Sequence, residues 1–366
     1  MSRRAVQLGR VAEYFHQTGI PFIPNAILTV PMLREHASGF FSDNIKPAWL
    51  LKQMDYAAVT VGRTYLRPFG EALRVLTRGL PEVRVFQPVT VLDELETLAW
   101  PVRLGNSSMV VRVEGYASRR ENRERRRCFE ALFVLVAYDP EQKKTIAFPR
   151  DQTKVPLQED VAMQRHVTRL EQLDKLLENQ SSVVLADPKL LAAAMDDVSS
   201  SRFGLTRHIR PVLNPMEFAA SHRTLIGTKE VNLMRNLHGG EMLRMMADVS
   251  FSVAAKYYQT QKVVTVGMSH IDIKKSAKEG WYVVSKARMV ALTPHRMVVE
   301  VKLLASDLGD IRHQIELATG YFYLRPELPL GQIFLPELDL SDSENRKLFV
   351  AGMLRLQLMQ NLWQER

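Results

Sequence analysis

Residues 109–118 read MVVRVEGYAS, and residues 297–306 read MVVEVKLLAS. Each copy is followed by an apolar stretch that starts at a glutamate, Glu130 or Glu316, and ends at Pro140-Glu141 or Pro326-Glu327 with the same internal spacing. Two matches of this length, half a chain apart, indicate two copies of one domain, whereas a solenoid would repeat at a short period. The flanking segments agree. Before the first copy, residues 46–66 place Ala48, Leu50, Leu51, Met54, Ala57, Ala58 and Val61 at helical spacing. Strand-like segments follow at 82–95, 98–104, 108–118 and 129–138, with Gly105-Asn106-Ser107 as a turn. Around the second copy, 225–231 reads as a strand and 240–258 as an amphipathic helix along Met242, Met246, Val249, Val253 and Tyr257. Strands are then expected at 263–273, 281–292, 296–306 and 313–324. A helix followed by an antiparallel run of strands, twice over, is an α+β pattern.

The expected organisation is a basic N-terminal segment at 1–25, a first domain at 26–149, a helical connector at 150–215, a second domain at 216–330 and a tail at 331–366. Within the connector, Asn179-Gln180-Ser181-Ser182 reads as a helix break, and residues 343–363 of the tail read as a docking helix. At 366 residues and 46% apolar content the chain can bury two cores. It has no run of about eighteen apolar residues, so no membrane span is expected. The single cysteine, Cys128, excludes an internal disulfide framework and a cysteine-based zinc site. A net charge of +9 favours polyanionic partners, namely nucleic acid, phosphate-bearing ligands or anionic membranes, without choosing among them.

The most specific local motif is NLMRNLHGG at residues 232–240, between a strand and the long helix. Paired glycines at a helix start let backbone amides approach a ligand. Those free N–H groups and the helix dipole suit a carbonyl oxygen gaining negative charge. Asn232 could hold a water or the substrate carbonyl, or could brace the loop as Asn commonly does. Asp55 shares a helix side with Leu51 and Ala58, where burial would raise its pKa toward the general-base range. Asp248 pairs more simply with Arg244 one turn earlier.

This loop, with a long helix and four strands behind it, resembles a hotdog domain of the acyl-CoA thioesterase type. Two such domains resemble the double-hotdog thioesterases, a pseudo-dimer in one chain, and their mitochondrial branch in particular. The first half carries segments in the order of that branch: PMLRE from Pro31, LLKQMD from Leu50, VRLGNSSM from Val102 and EALFVLVAYD from Glu130. The resemblance covers residues 27–330.

It implies hydrolysis of a fatty acyl-CoA to free acid and coenzyme A, with no cofactor or metal and the thioester as substrate. The family's site lies between paired domains, where an Asn from one cooperates with a carboxylate from the other. Carried over, Asn232 matches the catalytic Asn, Gly239 and Gly240 match the oxyanion pair, and His238 holds the preceding position. Asp55 is the expected carboxylate, with Asp43 as a geometric alternative. The first copy departs from the pattern: Pro47 and Ala48 stand where glycines belong, and Phe40 stands at the amide position. Lys274 and Lys275 replace the usual strand motif and are candidates for the coenzyme A phosphates.

An arginine-rich insertion, Arg119, Arg120, Arg123, Arg125, Arg126 and Arg127, interrupts the repeat at a strand-to-strand turn and is a candidate polyanion site lacking interleaved aromatics. It motivates a second reading, a non-catalytic double-hotdog scaffold bound to RNA in a mitochondrial assembly such as the ribosome. A homo-oligomer is compatible with either reading. Arg3, Arg4 and Arg10 precede the first acid, Glu13, a pattern that fits a mitochondrial targeting helix or an ordinary basic N-terminal helix. On the first reading a reporter fused to residues 1–25 enters mitochondria; a diffuse cytosolic signal would remove that reading.

Overall fold

The computed structural model describes residues 26–31, 37–39, 42–119, 124–150, 161–186, 212–232, 234–293, 296–327 and 337–364. The basic segment 1–25, Phe40, Arg120, Arg123 and the side chain of Asp43 lie outside the described residues.

Strands β1 (Ala26–Pro31), β2 (Ala37–Gly39) and β3 (Ser42–Ile45) lead into helix α1 (Pro47–Leu66). Strands β4 (Arg74–Val85), β5 (Asp93–Leu104), β6 (Ser108–Arg119), β7 (Arg125–Asp139) and β8 (Lys144–Ile146) complete the first half. The connector contributes α2 (Val161–Ala186) and β9 (Val212–Leu213). The second half holds β10 (Ala220–Leu225), α3 (Gly239–Tyr258), β11 (Val263–Ile273), β12 (Tyr282–Leu292), β13 (Met297–Ser306) and β14 (Ile315–Pro326). Strand β15 (Glu337–Leu338) and α4 (Ser343–Gln364) close the chain.

Ten strands form one path, β1-β5-β6-β7-β4-β11-β14-β13-β12-β10, and β8 pairs with β7 to make an eleven-stranded sheet. The path is a mirror about the β4–β11 seam, and the repeated phrase fills the equivalent strands β6 and β13. The registers agree residue by residue. Thr77 faces Leu135, which faces Met109; Thr265 faces Leu324, which faces Met297. In each half a register shift follows, at Thr77/Gly79 and Thr265/Gly267. The seam joins the halves through antiparallel pairs from Gly267–Arg84 to Asp272–Gly79. These two hotdog domains therefore share one sheet, as edge-to-edge pairing requires.

Alternation puts one set of side chains on each face. On the inner face lie α1 and α3, and Leu51, Met54, Val61, Leu243, Met246 and Val253 join a core that runs across both halves. Each such fully buried side chain contributes about 1.5–3 kcal/mol. Helix α1 starts with Pro47 in its first turn, where the missing N–H costs no intrahelical bond. On the outer face α2 and α4 pack over Trp100, Leu132 and Tyr323 through Val167, Leu170, Met353 and Leu356.

Three sequence expectations are corrected. The strand expected at 82–95 is the end of β4 and the start of β5, because Pro88 lies between them and Asp93 accepts from Thr90 N at 2.7 Å to form a turn. The strand expected at 225–231 stops at Leu225, since Gly227 N–H turns onto the Glu230 carboxylate at 3.0 Å. Residues 179–182 do not break the connector helix, which continues to Ala186 with Asn179 and Gln180 on its exposed side.

At the seam, a Cβ on Gly79 would lie 2.4 Å from the Ile271 carbonyl oxygen. Gly79→Ala is expected to destabilise the fold by about 1–3 kcal/mol, because the backbone at the seam must separate. Thermal or urea denaturation would measure it; an unchanged midpoint would show that the seam tolerates the shift.

Candidate active site

Helices α1 and α3 run side by side across the seam in opposite directions, so the middle of α1 meets the start of α3. That contact brings Asp55 to the glycine pair. Asp55 Oδ2 accepts from Gly240 N–H at 3.0 Å, and Oδ1 accepts from the Thr77 hydroxyl at 2.5 Å. His238 caps α3, its Nδ1 accepting from the same Gly240 N–H at 3.1 Å, and that nitrogen lies 3.3 Å from Asp55 Oδ2. The Tyr56 ring sits 5.2 Å from the His238 ring.

Asp55 is fully buried. Burial pushes its carboxyl above the ordinary carboxylate value, and the nearby His238, the Thr77 hydroxyl and the Gly240 amide offset only part of that rise. A buried carboxyl with a raised pKa, bonded through both oxygens, has the properties of a positioned general base.

Small residues are needed here on steric grounds. A Cβ on Gly239 would stand 3.1 Å from Thr77 Cβ, and one on Gly240 would stand 3.2 Å from Asp55 Oδ2 and 3.3 Å from Lys52 Cα. Gly240 N–H is committed to Asp55 and His238. Gly239 N–H, in the first turn of α3, has no acceptor among the described residues, so it is the amide left to meet a carbonyl oxygen.

Asn232 is not brought into contact with Asp55. Its side-chain oxygen accepts from Met234 N at 2.9 Å and Asn236 N at 3.2 Å, bracing a loop in which Arg235 adopts a left-handed φ of 56°. Its amide nitrogen makes no hydrogen bond among the described residues. Beside the site, Lys52 binds Glu241, whose carboxylate also takes Arg244 at 2.6 Å. Burial opposes ionisation of Glu241, but the Arg244 and Lys52 hydrogen bonds outweigh it and hold the carboxyl below its ordinary value. Asp248 pairs with Arg244 at 3.0 Å, one turn away, as its spacing implies.

Lys274 and Lys275 follow the end of β11, close in the ladder to Thr77. Lys274 is bound to Glu316, and Lys275 is exposed. Arg78, next to Thr77 in β4, binds Asp272 and the Ile273 carbonyl. Sequence reasoning missed Thr77. The signal was available as a second repeat, Thr77-Arg78-Gly79 and Thr265-Val266-Gly267, whose threonines hold equivalent registers.

The symmetry-related position at the start of α1 holds Lys46, Pro47 and Ala48, with no amide at Pro47 and no side-chain cap. Beside it is a cavity of about 90 Å³ whose lining includes Pro47, Leu51, Met54, Val83, Thr265 and Met268.

The arginine insertion is less free than its sequence suggests. Arg125 pairs with Glu96 at 3.1 Å and stacks 3.7 Å over Tyr116. Arg126 binds buried Asp93, and Arg127 binds Glu114 at 2.8 Å and also Glu130. Arg119 is exposed. Aromatic rings are interleaved after all, because Tyr116 and Phe86 come from neighbouring positions in space that the insertion's own sequence does not contain.

The thioesterase superfamily model matches residues 234–311, which run from the loop before α3 to the turn after β13. An uncharacterized acyl-CoA thioester hydrolase of Zymomonas mobilis is 30% identical over 107 residues, covering 29% of this chain and 68% of that protein. The cytosolic acyl coenzyme A thioester hydrolase of Homo sapiens is 24% identical over 151 residues, 39% of this chain and 40% of its own length. The alignment thus spans about two fifths of the human protein. The 12:0-ACP thioesterase from Umbellularia californica has a similar fold, with a TM-score of 0.53 at 11% identity, covering 83% of this chain and 94% of that one. With its two-hotdog sheet and the HGG helix start inside the matched region, the chain belongs to the thioesterase superfamily, among the acyl-CoA thioester hydrolases.

Proposed function

We propose that this protein hydrolyses fatty acyl-CoA thioesters at one composite site, in which the first domain supplies Asp55 and Thr77 and the second supplies the start of α3. The observation that carries this reading is the buried Asp55 carboxylate held against the Gly240 amide across the seam.

The geometry supports the following steps. The acyl carbonyl oxygen takes the Gly239 N–H. Asp55 removes a proton from water, whose oxygen bonds to the carbonyl carbon, and the carbonyl oxygen becomes the oxyanion. Collapse of that adduct breaks the C–S bond, and the departing thiolate takes the proton held by Asp55. Free acid and coenzyme A leave, and the carboxylate is restored. Thr77 is a positioning residue that fixes the rotation of the carboxylate. Asn232 holds the loop that presents the glycines, and its amide nitrogen is a donor for the water or carbonyl. Lys274 and Lys275, with Arg78, supply positive charge for the coenzyme A phosphates. The start of α1, with Pro47 and Ala48, is a second site that has lost its oxyanion donor. The mitochondrial location implied by the N-terminal segment belongs to the same proposal.

Coenzyme A release should be measured across short to long acyl-CoAs. Asp55→Asn keeps the shape and an acceptor for Gly240 N–H but removes the base, so kcat should fall by about 10²–10⁴-fold. Turnover equal to wild type would sink the assignment. Absence of turnover in a folded wild-type protein would favour the scaffold reading.

The raised pKa of Asp55 also gives two linked pH effects. The rate should climb with pH along a limb set by a carboxyl above the ordinary range, as the base loses its proton. Stability has the opposite dependence: the folded state holds the Asp55 proton more tightly than the unfolded chain, so Asp55 contributes stability at low pH that is lost as pH rises through its folded pKa. Asp55→Asn should therefore gain melting temperature relative to wild type as pH is raised. A difference that stays constant with pH would show that folding does not raise the Asp55 pKa.

A further inference from the structure

On the outer face of the first half's sheet, three guanidiniums share two carboxylates. Arg84 of β4 reaches Glu130 at 3.2 Å. Arg112 of β6 reaches Glu114 at 2.7 Å and Glu130 at 3.1 Å. Arg127 of β7 reaches Glu114 at 2.8 Å and also binds Glu130. Both glutamates are buried, and the Nε atoms of Arg112 and Arg127 are buried with no hydrogen-bond partner among the described residues. The cluster therefore carries a positive surplus in partly desolvated surroundings, where charge is expensive to leave uncompensated.

The surplus faces a space. A cavity of about 490 Å³ lies between this part of the sheet, the first turns of α2 and the end of α4. Its floor includes Arg84, Arg112 and Arg127, and its α2 wall adds Arg165 and Arg169. Glu130 is the one carboxylate among its lining residues, and Arg165 has no ion-pair partner among the described residues. Phe86 stands at the rim, 41% exposed, with the guanidinium carbons of Arg84 and Arg127 at 5.1 and 4.8 Å from its ring centre. That stacking holds two of the planar donors in place, which lowers the ordering cost of a ligand that uses them.

We propose that this cavity binds a small organic anion bearing two or more phosphate groups, of nucleotide size. The volume lies in the range of small-ligand pockets. Guanidiniums match phosphate oxygens in pairs, and five of them around one space exceed what a single carboxylate or sulfate would need. The site is separate from Asp55: it lies on the opposite face of the sheet and uses none of the residues of the thioester site. It also relocates the polyanion chemistry suggested by the arginine insertion, of whose described arginines only Arg127 lines the cavity.

The test is calorimetric titration of the full chain with ATP and with inorganic tripolyphosphate at physiological salt. Arg165 and Arg169 are exposed on α2, so an Arg165→Ala/Arg169→Ala variant should fold normally. Saturable binding of both probes, weakened at least tenfold in that variant and unchanged in Lys274→Ala/Lys275→Ala, is the expected result. Binding of tripolyphosphate but not ATP would keep the phosphate site and remove the nucleotide-sized ligand. No saturable binding to wild type, or equal affinity in the α2 variant, would overturn the proposal. Loss of binding in the Lys274/Lys275 variant alone would place the probes at the thioester site. Tight binding of a 20-nucleotide single-stranded RNA that ATP does not displace would assign the face to nucleic acid instead.

Discussion

The pairing of β4 with β11 is the constraint on which the rest of the molecule depends. A hotdog sheet ending at β4 would expose a row of unpaired N–H and C=O groups, and an edge of that kind is stable only when covered or paired. Here the second half supplies the cover with its own equivalent edge. Once the edges are joined, the position of everything on the inner face follows. Helix α1 sits against the first half of the sheet and α3 against the second, and their contact is set by the distance between strands. The short residues along it, Gly79 and Gly267 in the ladder and Gly239 and Gly240 at the start of α3, let the halves approach closely.

That close approach explains how a carboxylate can be buried in an apolar core. Asp55 lies on the same face of α1 as Leu51 and Ala58, and alone it would be an uncompensated charge. Its partners come from two other elements: Thr77 from its own domain, and Gly240 from the other. Neither half contains the complete set. The folded state therefore tolerates a raised carboxyl pKa because the same contacts that orient the group also limit its desolvation cost. The stability given up at this position goes with a more basic carboxylate, a trade that the proposed hydrolysis would use.

Much of the fold was legible in the sequence because it rests on periodicity. The strands of the second half, the ends of α1, α3 and α4, and the duplication itself all follow from apolar spacing and from the repeated phrase. The errors fell where local side-chain bonds override spacing. Residues 225–231 are apolar enough for a strand, but the Glu230 carboxylate turns the chain at Gly227. Residues 179–182 carry break signals, but they fall on a helix whose apolar face packs through Leu173 and Leu177. The site was half legible. Asp55 and the glycines could be placed by their spacing from the helix start, whereas Thr77 is a strand residue whose importance depends on which helix lies above it. The arginine insertion misled in the other direction. Sequence shows its cations and hides the acids that meet them, because Asp93, Glu96, Glu114 and Glu130 come from other positions in the ladder.

Duplication within one chain has a further consequence for how the two halves can diverge. In a symmetric dimer of identical domains, any change at one site occurs at both. In this chain the start of α1 carries Pro47 and Ala48 where the start of α3 carries Gly239 and Gly240, so two equivalent helix starts differ. The register-matched pair Thr77 and Thr265 shows that the strand frame is common to both halves, while the helix starts are not. The same freedom extends to the outer face. There α2 and α4 cover the second half and much of the first, but beyond the start of α2 the first half carries a charged surface instead of an apolar one. Arg112 and Glu114 on β6 correspond in the repeated phrase to Glu300 and Lys302 on β13. Reversed charges at equivalent positions of one sheet give its two ends different partners, an asymmetry that a strictly two-fold assembly could not hold.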